Sequence, residues 1–362
     1  MKDFRAWIVS LFILVSMILA ALAVMASAEG KNNSAKAMAL YSPDTNSFLY
    51  ASNADERLPM ASTTKIMTAL VTLENAPLDK CVTVPREAVG IEGSSLYLEE
   101  GDTLTVRDLL YSLMLRSAND AAVALAMEVG GDLFSFTEMM NARAEAMGLQ
   151  NTSFKTPHGL DSDDHYTTAR ELCIIASEAL KNEVFKEITS TYKYSFPLGE
   201  GTRTVVNHNK LLKAYDGTIG VKTGYTKKCG RCLVSAAEKN GVTLVAVTLD
   251  DPDDWTDHKR ILDIGFSVLK SVRLSEVALT EFSLPAIGLS LDNIRASVND
   301  ESSFVVYNDD KINIEYDIRK YIASEIKEGD TVGAIHVYVN GELYKSYPVI
   351  AEDSAKKIKR KH

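Results

Sequence analysis

The chain has 362 residues, of which 46% are hydrophobic and 24% are charged. This is the composition of an ordinary globular protein that is long enough for two domains. The net charge of -10 argues against nucleic acid as a partner, because the phosphate backbone would repel most of the surface. We find no glycine-rich phosphate loop and no His or Cys cluster at a metal-ligand spacing. We therefore expect no cofactor and no metal.

The first residues have the pattern of a secretory signal. Lys2 and Arg5 precede an uncharged run over residues 6–25, and the small residues Ala26-Ser27-Ala28 follow it. We predict a signal peptide over 1–28 and a mature chain that begins at Glu29. The alternative is an uncut membrane span, since about 20 apolar residues can cross a bilayer. Either reading predicts an exported, extracytoplasmic protein in the cell wall or at the outer face of the membrane.

The next segment predicts strands and then a series of helices. Residues 37–51 predict a β-hairpin with a turn at Pro43-Asp44-Thr45-Asn46. A helix from about Thr63 to Glu74 is apolar on nearly all faces, which is typical of a buried central helix. Thr105 and Asp108 indicate a capping box at the start of a helix. Further helices are predicted over residues 106–115, 119–129, 133–147 and 168–182.

Strands return at residues 221–226, 232–237 and 243–250, and a helix over 257–269 follows them. Strands, then helices, then strands predict an α+β domain over residues 29–274. In this domain one antiparallel sheet is flanked by helices, and its first and last strands meet.

The hydrophobic pattern changes beyond residue 274. Short alternating runs over residues 303–307, 312–316, 332–339 and 343–350 predict a small all-β, sandwich-like domain over 275–350. The tail over 351–362 is strongly basic, and we expect a solvated, frayed end. Any membrane contact would rest on an uncut N-terminal segment or on attraction between this tail and anionic lipid.

The four cysteines are Cys81, Cys173, Cys229 and Cys232. Export would permit disulfides, and Cys229 and Cys232 have a C-x-x-C spacing. No second ligand pair accompanies them, so we interpret one as a thiol buried in a strand and the other as a loop thiol. Whether the two form a disulfide stays open.

Three short motifs carry the chemical signal. Ser-x-x-Lys occurs five times, so the pattern by itself selects no serine; the five begin at Ser62, Ser190, Ser267, Ser324 and Ser354. Only Ser62 opens a buried helix in the first domain. Ser117-Ala118-Asn119 lies at a predicted helix–helix junction, and Lys222-Thr223-Gly224 lies on a predicted strand. Each motif alone would be a helix cap or a solvated strand end, but the three together in this order indicate an active site.

The order and spacing of these motifs resemble the low-molecular-mass penicillin-binding proteins, the serine D-Ala-D-Ala carboxypeptidases. The match covers roughly residues 35–270 and includes Pro157-His158-Gly159-Leu160-Asp161 and Ala169-Arg170. The resemblance implies a β-lactamase/transpeptidase-like fold with a small all-β companion domain. It also implies peptidoglycan pentapeptides as substrates and covalent acylation by β-lactams.

Elementary chemistry supports part of the catalytic assignment. Lys65 is one helical turn from Ser62 and can reach its hydroxyl, which needs a base before it becomes a nucleophile. Burial, the helix N-terminus and a second cation, Lys222, would each favour the neutral lysine that this base requires.

The remaining roles come from the resemblance. Ser117 relays a proton to the leaving amine, and Asn119 holds the substrate amide. Lys222 and Thr223 bind the terminal carboxylate. Gly224 leaves room for the substrate along the strand edge. The main-chain N–H groups of Ser62 and Tyr225 form the oxyanion hole.

The absence of a glutamate in one segment narrows the choice of reaction. Class A β-lactamases use a glutamate for deacylation, and residues 151–170 contain no Glu. We therefore predict a carboxypeptidase that loses a β-lactam adduct slowly. The alternatives are a DD-endopeptidase and a catalytically silent wall-binding protein. His158, His165 and His208 are interpreted as structural or surface residues.

Overall fold

The structure, a computed structural model, describes residues 34–298, 300 and 303–358. The predicted signal peptide over 1–28 lies outside the described residues. No helix in the described part of the chain is long and apolar enough to cross a membrane. The chain forms two compact units. The first runs to Lys239 and continues over Thr243–Gly265, and the second contains Asn240–Val242 and the chain from Phe266 onward.

The first unit is built on a five-stranded sheet in the order β2-β1-β9-β8-β7. Its strands are β1 Ala37–Ser42, β2 Ser47–Ser52, β7 Thr218–Thr226, β8 Gly230–Lys239 and β9 Val242–Leu249. β1 pairs with β2 and β9, both antiparallel, which confirms the predicted hairpin and the meeting of the first and last strands. Every residue of β1 is buried, as expected for a strand with neighbours on both sides. β7 lies at the end of the sheet.

Most helices of this unit were predicted, but the two short helices over residues 183–190 and 211–214 were not. The helices are α1 Lys65–Asn75, α2 Val106–Tyr111, α3 Asn119–Gly130, α4 Leu133–Ala146, α5 Ala169–Leu180, α6 Glu183–Ser190, α7 Leu211–Ala214 and α8 Asp254–Val268. α1 packs against α3, α4 and α5. Its residues from Lys65 to Thr72 are buried, which confirms the predicted central helix. Thr105 and Asp108 form the predicted capping box at the start of α2.

Two helix boundaries differ from the prediction, and both lie at the candidate site. Ala61–Thr64 forms a 3-10 turn, so the α-helix begins only at Lys65. Ser112–Arg116 is π-helical, and Ser117 then adopts a left-handed conformation with φ 64°. Wide π-helical turns are rare and concentrate at functional sites.

Two small antiparallel pairs complete the unit: β3 Cys81–Thr83 with β4 Thr103–Thr105, and β5 Lys193–Leu198 with β6 Gly201–Val206. The sequence patterns had not predicted them.

In its described residues the second unit is all-β apart from one short helix, α9 Leu274–Val277. One antiparallel sheet has the order β11-β12-β16-β15-β14, and β10 pairs with β13 in a second, two-stranded sheet. The strands are β10 Leu269–Arg273, β11 Glu281–Pro285, β12 Asn293–Ser297, β13 Ser303–Tyr307, β14 Ile312–Ile318, β15 Thr331–Val339 and β16 Glu342–Ala351. Ile294, Ile335, Val337 and Val349 are fully buried in its own core. The α+β fold followed by an all-β domain is therefore confirmed.

The basic tail is more ordered than expected. Ala355 pairs with Ile326 and Lys357 pairs with Leu289 through isolated bridges, and Ala355 is buried. The prediction of a frayed end is therefore wrong as far as Ile358, because the main chain finds partners while the lysine side chains stay exposed. Residues 359–362 lie outside the described residues.

Candidate active site

Ser62 lies on a tightly held turn that precedes the buried helix α1. Ala61 just before it has φ 47°, a left-handed conformation that a residue with a side chain rarely adopts. The hydroxyl of Thr63 donates to the carbonyl of Met60 at 2.6 Å, and that of Thr64 donates to the carbonyl of Ala61 at 2.8 Å. These side-chain bonds fix the turn that carries Ser62.

The chain at Gly159 packs directly on this turn. Gly159 has φ 83°, and a Cβ placed there would lie 2.0 Å from the carbonyl oxygen of Ala61. Glycine is therefore required both by conformation and by space. The close approach brings the main chain of His158 next to the site.

His165 supports the same turn from behind. The main-chain N–H of Lys155 donates to His165 Nδ1 at 2.9 Å, so the ring proton must lie on Nε2. Nε2 then donates to the hydroxyl of Thr64 at 2.8 Å. Burial lowers the pKa of His165 to about 4, which keeps this tautomer neutral. The prediction of a structural histidine agrees with this arrangement.

Lys65 is the centre of the site and has no solvent-exposed surface. Its Nζ lies 3.0 Å from Ser62 Oγ, 2.6 Å from Asn119 Oδ1 and 2.5 Å from the carbonyl oxygen of His158. Burial, and after it the charge of Lys222, hold the pKa of Lys65 well below its usual value, while Asp120 opposes the shift. A neutral amine has two N–H groups and one lone pair. In the neutral form, donation of these two N–H groups to Asn119 and His158 would leave the lone pair for the hydroxyl of Ser62.

Ser117 and Asn119 reach the site from the junction between the π-helical turn and α3. Ser117 is buried and lines the cleft in front of Ser62. Asn119 is held from both sides, since its Nδ2 donates to the carbonyl of Glu92 at 2.6 Å and its main-chain N–H donates to that of Ser94 at 2.7 Å. The left-handed Ser117 turns the chain just before α3, whose first residue, Asn119, contacts Lys65 Nζ at 2.6 Å.

The Lys222-Thr223-Gly224 strand forms the opposite wall. A Cβ at Gly224 would lie 3.1 Å from the amide nitrogen of Ser62, so only glycine lets β7 approach the nucleophile turn this closely. Lys222 is 1% exposed and donates to the carbonyl of Thr223 at 2.9 Å. Burial lowers its pKa to about 7. Tyr225 is 66% exposed at the mouth of the cleft.

A cleft of about 480 Å³ joins these elements. Five of the predicted site residues line it, namely Ser62, Ser117, Thr223, Gly224 and Tyr225. The whole lining is Ser62, Ser94, Ser117, His208, Thr223, Gly224, Tyr225, Arg231, Asp254 and Trp255. Lys65, Asn119 and Lys222 lie behind this surface. The structure thus brings all eight predicted site residues into one place.

Sequence reasoning had missed the far wall of the cleft. Arg231 on β8 donates through its two nitrogens to the carboxylate of Asp254 at 3.1 and 2.5 Å, and Trp255 lies beside it with its ring centre 5.7 Å from the guanidinium. Asp254 is buried, whereas 42% of the Arg231 side chain is exposed. The guanidinium is thus a positive group held in a fixed orientation at the cleft. No local sequence pattern marked Arg231, because its position opposite Tyr225 depends on how β7 and β8 pair in the folded chain.

The C-x-x-C pair lies close to the nucleophile turn as two free thiols. Cys229 Sγ lies 3.3 Å from a carboxylate oxygen of Asp161, and Cys232 is buried on β8. Burial raises the pKa of Cys229 to about 11 and that of Cys232 to about 12. In the described part of the chain no group of three or more His, Cys, Asp or Glu side chains is placed to hold a metal ion.

A nucleophile on a helix-opening turn, a buried lysine beside it and a glycine-bearing edge strand together define a serine acyl-transferring peptidase. The D-alanyl-D-alanine carboxypeptidase family model of peptidase type S11 matches residues 23–253, and the model of the penicillin-binding protein 5 C-terminal domain matches residues 292–357. The chain belongs to the D-alanyl-D-alanine carboxypeptidase family. The predicted serine-type carboxypeptidase activity is confirmed.

Individual relatives agree with this assignment. The chain is 32% identical to D-alanyl-D-alanine carboxypeptidase DacF of Bacillus subtilis over 96% of its own length and 94% of the relative's. It is 29% identical to DacC of Escherichia coli, covering 92% and 87% of the two chains. The crystal structure of the Streptomyces K15 DD-transpeptidase superposes with a TM-score of 0.63 at 36% identity, covering 66% of this chain and 99% of that one.

Proposed function

We propose that Ser62 attacks the carbonyl carbon of the penultimate D-alanine of a peptidoglycan stem peptide and that Lys65 takes its proton. The observation that carries this proposal is the position of Lys65 Nζ, which lies 3.0 Å from Ser62 Oγ and within hydrogen-bond distance of Asn119 Oδ1 and the carbonyl oxygen of His158. A lysine can serve as a general base only when it is neutral, and this environment favours the neutral form.

The oxyanion of the tetrahedral intermediate is stabilised by the main-chain N–H groups of Ser62 and Tyr225. The close packing of Gly224 on the amide nitrogen of Ser62 supports this pairing, because it draws the two main-chain segments together. Ser117 at the cleft surface then passes a proton to the leaving amine, and the bond to the terminal D-alanine breaks. Water activated by Lys65 releases the shortened peptide and restores Ser62.

Substrate binding uses the edge of β7. The peptide lies along this edge as an added strand, for which Gly224 leaves room. Thr223 lines the cleft and contacts the terminal carboxylate, while Lys222 is buried behind it and contributes its positive charge at a distance. Arg231 supplies a second, exposed positive group for the same carboxylate. Asn119, in addition to contacting the substrate amide, orients Lys65.

The relatives are named carboxypeptidases, which favours neither a DD-endopeptidase nor a catalytically silent wall-binding protein. A β-lactam presents a strained amide to the same serine and should acylate Ser62. Since residues 151–170 contain no glutamate for rapid deacylation, the adduct should be lost slowly.

The same reasoning extends to domain organisation and location. We propose a catalytic domain over residues 29–274, an all-β domain over 275–350 and a basic segment over 351–362. We also propose export, with cleavage after residue 28, since peptidoglycan lies outside the cytoplasm. Sequencing the N-terminus of the protein recovered from membrane and wall fractions tests the cleavage.

The decisive experiment replaces Ser62 by alanine. The variant should neither release D-alanine from a pentapeptide nor gain the mass of a bound penicillin. Ser190→Ala is a matched control, because Ser190 begins another Ser-x-x-Lys sequence in the first unit but is exposed at the end of α6. It should keep both properties. D-Ala release or a covalent penicillin adduct in Ser62→Ala would overturn the proposal.

A further inference from the structure

Asp120 is a buried carboxylate that lies one residue beyond Asn119 in the first turn of α3. It is 1% exposed. Its oxygens accept hydrogen bonds from the main-chain N–H groups of Leu96 at 2.9 Å and Leu98 at 3.1 Å, and from the hydroxyl of Ser95 at 2.5 Å. No Lys or Arg in the described part of the chain forms an ion pair with it. The carboxylate is therefore satisfied almost entirely by one loop, residues 92–98.

This loop is in turn the support of Asn119. The carbonyl oxygens of Glu92 and Ser94 accept the side-chain and main-chain N–H groups of Asn119 at 2.6 and 2.7 Å. Gly93 lies so close that a Cβ there would be 2.9 Å from Asn119 Nδ2. Ser94 also forms part of the cleft lining. Displacement of the loop would thus release Asn119, and with it one of the two acceptors that orient Lys65.

The charge of Asp120 acts on the same lysine. In the described part of the chain, Lys65 interacts electrostatically with these titratable side chains: Asp120, Lys222, His158 and His165. The two histidines are neutral, because burial lowers their pKa values to about 3 and about 4. Lys222 disfavours a proton on Lys65, and Asp120 is the anion that favours one. Loss of the carboxylate should therefore lower the pKa of Lys65 further.

We propose that Asp120 is a positioning residue for acylation: its carboxylate holds the 92–98 loop against Asn119 and thereby keeps Lys65 aligned with Ser62. This inference rests on the proposed role of Lys65 as the base. We assign Asp120 no contact with substrate: it acts through the loop and Asn119, and its charge acts on Lys65.

The test is Asp120→Asn, which keeps the shape of the side chain. It replaces one carboxylate oxygen by an NH₂ group, and this group would face the N–H and O–H donors of the 92–98 loop. We expect acylation by a fluorescent penicillin to slow by about 10- to 100-fold, since small displacements of catalytic groups have effects of this size. The acid limb of the pH–acylation profile should move to lower pH by about one unit, because Lys65 has lost a nearby anion. A purely structural defect would slow acylation without moving the limb.

Two further variants complete the experiment. Ser95→Ala removes one donor and keeps the charge, so it should slow acylation by about three- to tenfold with the acid limb unmoved. Asp132→Asn is the control, since Asp132 is an exposed carboxylate that caps α4 through Ser135. It should lower only the melting temperature.

The inference is overturned if folded Asp120→Asn acylates at the wild-type rate or with an unmoved acid limb. Should this variant not fold, a wild-type rate in Ser95→Ala overturns it instead. Either result would leave the proposed function intact, because that proposal is tested at Ser62 and Lys65 themselves, by Ser62→Ala and Lys65→Arg.

Discussion

Lys65 Nζ lies 3.0 Å from Ser62 Oγ, and the lysine has no exposed surface. The two residues are three positions apart, about one helical turn, but the surroundings of the lysine decide its protonation state. α3 supplies the side chain of Asn119, and the main chain of His158 supplies a carbonyl oxygen. β7 supplies Lys222, whose positive charge lowers the pKa of Lys65. Predictions about the site therefore concern both the pair and the elements that enclose it.

Replacing Lys65 by arginine should abolish acylation although the positive charge is kept. Arginine does not lose its proton in proteins, so it cannot take the proton of Ser62. We expect the acylation rate to fall by about 10²- to 10⁴-fold, the usual contribution of a general base. Mass spectrometry of the penicillin adduct over time measures this rate. A variant that retains more than a tenth of the wild-type rate would contradict the role of Lys65.

Gly224→Ala should impair catalysis more than stability. The added methyl group would lie 3.1 Å from the amide nitrogen of Ser62 and 3.2 Å from both Ala61 Cβ and the carbonyl oxygen of Met60, so β7 must move away from the nucleophile turn. We expect kcat for D-Ala release to fall by at least about tenfold, because the oxyanion donors separate. Gly201→Ala on β6 is the control, since its Cβ would meet only Leu198 O at 3.8 Å. Equal kcat values in the two variants would refute this account.

Arg231→Gln should weaken substrate binding. The substitution removes the exposed positive group of the cleft and leaves the buried Asp254 without its partner. We expect KM for a pentapeptide to rise by about tenfold, as for the loss of one charge-assisted contact, with a smaller effect on kcat. Arg260→Gln is a suitable comparison, because Arg260 forms a similar ion pair with Asp257 on the same helix away from the cleft. Its KM should be unchanged.

Stability should decrease as the pH falls below neutrality. His165 and His258 are buried, and burial lowers their pKa values to about 4 and about 3. Between pH 6.5 and 4 the unfolded chain binds protons at these positions while the folded chain does not, so the free energy of unfolding decreases. At pH 5 each histidine should lower the free energy of unfolding by about 2 kcal/mol relative to its value at pH 7. Above about pH 7.5 almost none of either state is protonated at these histidines, so this contribution is constant.

Urea unfolding followed by tryptophan fluorescence measures this dependence, since Trp255 reports on the first unit. In His258→Gln the decrease between pH 7 and pH 5 should be smaller than in the wild type, although the variant is less stable at both pH values. An unfolding free energy that does not change between these pH values would rule out the proposed linkage.

Thiol reactivity should distinguish the four cysteines. Cys81 is exposed, whereas Cys173, Cys229 and Cys232 are buried with raised thiol pKa values. One thiol should therefore react rapidly with a thiol reagent in the native protein, and all four should react after unfolding without reductant. Fewer than four in the unfolded, unreduced protein would show that a disulfide had formed.

The motifs were recognisable from the sequence because their chemistry is local. The spacing of Ser62 and Lys65 already brings them close together, and Asn240-Gly241, both with positive φ, is a typical two-residue turn between the neighbouring strands β8 and β9. The hairpin of β5 and β6 escaped prediction because β6 is exposed along nearly its whole length and buries only Val205, although β5 alternates. Its Pro197 is also unusual within a strand.

Other features could not be read from any local pattern. The acceptor that His158 supplies to Lys65 is a main-chain carbonyl, which every residue has, so the side chain carries no signal of that role. Arg231 and Asp254 are separated by a strand and a turn, and their contact depends on how α8 meets β8.

The sequence alone determined the fold class and the closeness of Lys65 to Ser62, the proposed nucleophile, because periodicity, capping and the spacing within one helical turn act over short distances. Tertiary structure decided whether that lysine can act as a base. Its low pKa requires the removal of water and the approach of Lys222, and its orientation requires acceptors from α3 and from the segment at Gly159. These groups are distant in sequence, so only the packing of the folded chain brings them to Ser62.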